Sequence, residues 1–190
     1  MAKSKQTIRI ISGTHRSRRL PVLDVAGLRP TGDRLREMLF NWLQMDIAGK
    51  NVVDLCAGSG ALGFEAASRG AKSVVLVESN NQVAQQLSQI KNDFKFDNVQ
   101  IFNQSAQSYL QSMSQTIDVV FLDPPFDANL LQELSDLVIQ KVSNNGYLYR
   151  ESAISTKLQN LPNNWQLFRQ KTAGQVKIEL WLKLNQNHEE

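Results

Sequence analysis

Residues 52–66, VVDLCAGSGALGFEA, constrain the fold more than any other stretch of the chain. An apolar run leads into Gly58-x-Gly60-x-x-Gly63, and small and apolar residues follow at once. That order reads as a strand, a tight loop and a helix lying close against the strand. The flanking sequence repeats the alternation. Strands are expected at 73–77, 99–102, 117–122 and 146–151, and helices at 61–68, 80–94, 106–113 and 130–142. The strands are nearly continuous apolar runs, which implies a parallel sheet covered by helices on both faces. The ending differs. Residues 165–171 and 175–184 are strand-like, and the three residues between them are too few for a helical crossover. The expected architecture is an α/β, doubly wound, Rossmann-like sheet, mostly parallel with a terminal antiparallel hairpin.

The region before this core has a different character. Residues 7–12 and 19–25 read as two short strands around the basic turn SGTHRSRR, after a loose leader at 1–6. Thr31 is placed to cap a helix in which Leu35, Met38, Leu39, Trp42 and Leu43 share one face. Residues 1–36 hold nine Lys or Arg against two Asp, leaving 12 bases and 16 acids in the remainder. A cationic end on a mildly acidic body suits a polyanionic partner met from one side. The organisation expected is a basic extension at 1–48 packed on the core, a main domain at 49–184 and a tail at 185–190. The single Cys56 and the lack of a signal or membrane-spanning run make a soluble, cytoplasmic protein the expectation. With His15, His188 and one cysteine, no metal site is readable.

Two nucleoside cofactors fit the glycine loop, and charge separates them. Glu78 stands 20 residues beyond Gly58, at the end of the next strand, where it can accept ribose hydroxyls in either case. A dinucleotide would bring an anionic pyrophosphate to the helix N-terminus. S-adenosylmethionine would bring a sulfonium and an ammonium. Asp54, ending the first core strand, repels the former and suits the latter.

The segment FLDPPF, residues 121–126, ends another strand with a carboxylate, two prolines and a ring. Proline cannot donate to the ladder, and it drives the residue before it to extended geometry. Asp123 and the Pro124 carbonyl are therefore held stiffly, with Phe126 beyond them. Rigid acceptors and a stacking ring suit an exocyclic base amine extruded from its helix.

Taken with DLCAGSGALG, this segment resembles the methyltransferases that act on exocyclic amines of nucleic-acid bases. Five blocks in order, IRIISGTHRSRRL, LRPTGDRLREMLFNWL, DLCAGSGALG, VFLDPPF and AGQV, resemble the RsmD-type bacterial small-subunit ribosomal RNA guanine-N2 methyltransferases over roughly residues 7–184. The resemblance implies a cofactor site at Asp54, Gly58, Gly60 and Glu78, and a target-base pocket at Asp123, Pro124 and Phe126. It puts the cofactor's adenine beside Ser105 and Ala106, where Ser105 stands in place of the acid common in relatives. It also implies a partner, ribosomal RNA within the small subunit or an assembly intermediate of it. Arg9, His15, Arg16, Arg18, Arg19 and Arg34 are the candidates to grip RNA. Arg34 and Arg36 cannot share one helical face, so at most one of them touches it. An adenine-N6 methyltransferase, a nicotinamide-dependent dehydrogenase and a non-catalytic RNA-binding module are the alternative readings.

Overall fold

The computed structural model describes residues 7–23, 32–125 and 128–185. Two short strands, β1 (Thr7–Arg9) and β2 (Arg19–Pro21), pair antiparallel as the basic hairpin. Helix α1 (Asp33–Trp42) follows. The core then alternates: β3 (Asn51–Asp54), α2 (Ala61–Ser68), β4 (Ser73–Val77), α3 (Asn81–Phe94), β5 (Val99–Phe102), α4 (Ala106–Ser112), β6 (Ile117–Leu122) and α5 (Ala128–Val138). Three longer strands close the chain, β7 (Val142–Ala153), β8 (Trp165–Ala173) and β9 (Val176–Lys183). They complete a seven-stranded sheet in the order β5-β4-β3-β6-β7-β9-β8. The first five strands in that order are parallel, and β9 pairs antiparallel with both β7 and β8. This is the doubly wound sheet with a terminal hairpin that the sequence predicts.

The apolar strands bury both faces. Val52, Val74, Phe121 and Tyr149 pack with Phe64, Leu87 and Phe40 on one side. Val53, Val120 and Leu148 pack with Leu110 and Leu134 on the other. Ile8, Ile10 and Leu20 of the hairpin and Leu35 and Leu39 of α1 belong to the first cluster, so the basic extension shares the core. None of the described helices is long and apolar enough to cross a membrane.

One local expectation changes. The helix expected over 130–142 stops at Val138, and β7 begins at Val142, four residues before the expected strand. Val142 pairs with Ile117, and the register then shifts before Val119 meets Tyr147. Asn145 takes up the extra chain with φ 60°. Thr31 lies outside the described residues; Gly32 occupies the cap position of α1 and makes no side-chain cap bond. Arg36 is fully buried while Arg34 is exposed, so the two do not share a face. Its Nη2 donates to the Arg9 carbonyl (2.7 Å) and to Asp33 (2.8 Å), while Nε and Nη1 have no hydrogen-bond partner among the described residues.

Glu65 fastens the hairpin to the core. Its buried carboxylate accepts from the backbone N–H of Ile11 (2.7 Å) and Ser12 (3.0 Å) and from Arg69 Nε (2.6 Å). Ser68 adds a second tie: its hydroxyl donates to the Ser12 carbonyl at 2.6 Å, and its own carbonyl accepts from Thr14 N at 2.8 Å. Gly13, with φ +83°, lies so near that a Cβ there would come within 1.8 Å of the Ser68 oxygen. Replacing Glu65 by Ala leaves two amides and a guanidinium without their acceptor, and should cost about 3 kcal/mol. Denaturant unfolding measures that loss, and hydrogen exchange at the Ile11 and Ser12 amides should become fast. Slow exchange at both amides in Glu65→Ala would show that the hairpin is held by something else.

Candidate active site

The ends of β3 and β6 stand side by side where the strand order reverses, the position at which doubly wound sheets take ligands. β3 ends in Asp54, whose backbone pairs with Phe121 two residues before Asp123. Asp54 is 2% exposed, and its Oδ2 accepts from Gly63 N at 3.1 Å. Burial pushes its carboxyl up to about 7; the Gly63 and Cys56 amides oppose that rise, and the charge of Glu78 adds to it. The loop can lie this close because Gly63 faces β4 without a side chain. A Cβ there would meet Leu76 Cδ2 at 1.9 Å.

Glu78, just beyond β4, accepts from Gly58 N (2.9 Å) and Asn80 N (2.8 Å), so the loop itself orients the acid. Gly60 opens α2 with φ 75°. Ser105 caps α4, its hydroxyl accepting from Ser108 N at 3.1 Å, and Ala106 begins that helix. Asp54, Gly58, Glu78, Ser105 and Ala106 surround one cavity of about 690 Å³, which Asp123 and Pro124 close from the β6 side; Gly60 is not among its described lining residues. Asp123 is half-buried and Pro124 buried, while Phe126 lies outside the described residues.

The charge of this cavity is one-sided. Asp54, Glu78, Asp123 and Glu151 line it, and no Lys, Arg or His is among its described lining residues. Such a lining suits a cationic ligand and opposes a pyrophosphate. Cys56 also lines it. Burial pushes its thiol up, and the carboxylates of Asp54, Asp123 and Glu78 push it further the same way. Glu151 is not among the expected site residues, although it closes the strand expected at 146–151 in an acid as Asp54 closes its own; in the structure β7 runs on to Ala153. That shared pattern was the available signal.

The cationic candidates fall into two places. Arg9, Arg16, Arg18, Arg19 and Arg34 are all exposed. His15 is not a free surface group: its ring stacks on Phe96 at 3.9 Å, and Nε2 meets the Phe94 carbonyl at 2.9 Å. Arg18 lies over the Phe94 ring at 5.0 Å. Phe94 ends α3, a 14-residue helix that starts beside Glu78, so the hairpin tip sits roughly 20 Å along α3 from the cavity. Arg34 is much nearer, because its neighbours Gly32 and Leu35 line the cavity.

Comparison with known proteins agrees with this geometry. The family Conserved hypothetical protein 95 matches residues 8–182. Ribosomal RNA small subunit methyltransferase D of Escherichia coli (strain K12) is 43% identical over 176 residues, covering 92% of this chain and 89% of the relative. The Haemophilus influenzae protein of the same name is also 43% identical, over 184 residues, covering 94% and 95%. The solved structure of the Escherichia coli protein yhhF superposes with a TM-score of 0.87 at 40% identity, covering 94% of this chain and 99% of that one. From its first hairpin strand to its last sheet strand, the chain belongs to the Conserved hypothetical protein 95 family, that of the RsmD-type small-subunit ribosomal RNA methyltransferases.

Proposed function

We propose that this protein transfers a methyl group from S-adenosylmethionine to the exocyclic N2 amine of a guanine in small-subunit ribosomal RNA. The observation that carries the reading is the cavity in which the end of β3, the acid beyond β4 and the Asp123-Pro124 turn meet, lined by acids and by no base among the described residues. The names of its relatives supply the RNA.

When bound, S-adenosylmethionine supplies a methyl group activated on a positively charged sulfur. Asp54 and the loop from Gly58 to Gly60 would hold its charged end, and Glu78, fixed by two backbone amides, would accept from the ribose hydroxyls. Ser105 and Ala106 would flank the adenine, with contact left to the backbone because the Ser105 hydroxyl is engaged in its cap. Asp123 and the Pro124 carbonyl act on the target. An aromatic amine is a poor nucleophile while its lone pair is delocalised into the ring. Two acceptors set off the base plane favour the tetrahedral nitrogen through hydrogen bonds that strengthen in the transition state. The amine lone pair would take up the methyl group that the cofactor supplies, leaving the cofactor's sulfur as a neutral thioether, and the proton released from the amine would pass to solvent by way of its acceptor Asp123. Phe126 is the candidate to stack on the extruded base. The exposed arginines would contact the RNA backbone, Arg34 beside the pocket and the hairpin far from it. A rigid substrate surface would satisfy both places at once, which favours the assembled subunit or an intermediate over a short RNA.

The direct test incubates the protein with labelled S-adenosylmethionine and small subunits from a strain lacking the activity, and then identifies the modified nucleoside. N2-methylguanosine is expected. N6-methyladenosine would favour the adenine reading, and no transfer to RNA would end the proposal. Asp123→Ala should lower the transfer rate by about 10²–10³-fold with cofactor affinity nearly intact. Lost cofactor binding would make Asp123 structural instead.

Asp54 gives a pH signature. A cationic ligand binds better when Asp54 is ionised, and burial has raised its pKa to about 7 in the free protein. Cofactor affinity should therefore be complete above about pH 7 and weaken as pH falls, by up to about tenfold per unit. For folding the sign is opposite: the contribution of Asp54 is present below the ordinary carboxylate range and is lost as pH rises through about 7. Calorimetric titration from pH 5.5 to 8.5 should show the binding trend in the native protein and a flat profile in Asp54→Asn. An identical slope in both would remove Asp54 from the cofactor site.

A further inference from the structure

We propose that Glu151 is a second base-reading carboxylate, accepting guanine N1–H while Asp123 and the Pro124 carbonyl take the N2 amine. The inference rests on the reaction proposed above and concerns how that reaction selects its base.

The sheet register puts the two acids together. Phe121 pairs with Tyr149 and Leu122 with Arg150, so Asp123 and Glu151 each follow directly on the last paired residues of β6 and β7. Both line the same cavity. Glu151 is 7% exposed, so it is no solvated surface acid, and a carboxylate taken out of water needs donors to compensate it. Tyr149 is one of the partners that hold it. Its hydroxyl donates to Glu151 Oε2 at 2.8 Å. Tyr149 cannot swing, because it is fully buried with its ring edge against Phe121 (6.1 Å, 87°), which packs in turn on Phe40. The neighbouring Arg150 points to the opposite face, where it pairs with Glu179 at 2.7 Å. Glu151 is thus held in a fixed direction at the mouth of the Asp123-Pro124 turn.

The chemistry of the base then decides the specificity. Guanine presents N1–H and the N2 amine as adjacent donors, and a carboxylate can only accept. A base that keeps the amine but carries a bare N1 would set a lone pair against Glu151. Sites built to bond a donor discriminate strongly against analogues that lack it, because the buried partner is left unpaired. Asp123 alone fixes the amine; Asp123 with Glu151 distinguishes guanine from 2-aminopurine, which has the same amine beside an unprotonated N1.

Small subunits reconstituted with guanine or 2-aminopurine at the target position test this. The unsubstituted enzyme should prefer guanine by about 10²-fold or more in kcat/KM. In Glu151→Gln, whose amide can donate to N1, that preference should shrink at least tenfold at saturating cofactor, with melting temperature kept. Equal losses on both bases would show that Glu151 only supports the pocket, and would overturn this inference alone. If Glu151→Gln fails to fold, the native enzyme still decides: comparable transfer to the two bases would overturn the inference, and strong preference would uphold it. Absence of any guanine-N2 transfer by the native enzyme would overturn the proposed function as well.

Discussion

The ladder between β3 and β6 is the constraint on which the site depends. These strands are far apart in sequence and adjacent in space, and they pair through Val52 with Val119, Val53 with Val120 and Asp54 with Phe121. Leu55 N continues the ladder to the Phe121 carbonyl at 3.0 Å, so the glycine loop leaves the sheet from a fixed point. A slip of one residue would turn every side chain of β6 to the other face. It would move Phe121 off Phe40 and Tyr149, and it would carry Asp123 away from the cavity that Asp54 shares. Because both faces of the sheet are packed, such a slip exposes apolar surface on two sides. Register here is enforced by the core rather than by the acids themselves.

The same packing explains what could be read in advance. Strands buried on both faces leave continuous apolar runs, and the helices between them leave one apolar stripe each, so the alternation from residue 51 onward was legible. The acids at strand ends were legible for a related reason: a carboxylate closing an apolar run stands out. The end of α5 was not. Residues 139–142 continue an apolar pattern that fits either a helix or a strand, and only pairing between Val142 and Ile117 decides it. Arg36 was equally opaque. In the sequence it is one base among nine, and its burial follows from the arrival of the Arg9 carbonyl from another element. The partner that fixes it is invisible to any local pattern.

Charge is divided by location. Exposed arginines gather on the hairpin and the first turn of α1, with Arg169 apart from them on β8, while carboxylates line the cavity among the strand ends. The basic residues that lie inside the fold are tied to acids or carbonyls: Arg36 to Asp33, Arg69 to Glu65 and Arg150 to Glu179. None of the three lines the cavity. A small, nearly neutral protein can thus present opposite potentials to a polyanion and to a cation without either field cancelling the other at short range.

The attachment of the hairpin also sets an order of events during synthesis. β1 and β2 can pair with each other as soon as they are made, and Arg36 reaches the Arg9 carbonyl soon after, yet the ties that fix the hairpin's turn lie far downstream. Ile11 and Ser12 wait for Glu65, Thr14 waits for Ser68, and His15 waits for Phe94 and Phe96. The most basic segment of the chain therefore leaves the ribosome well before its anchors and cannot be fully secured until the chain as far as Phe96 has followed it. Closing loops of this length costs entropy before any contact repays it, so the hairpin docks onto α2 and α3 only after those helices exist.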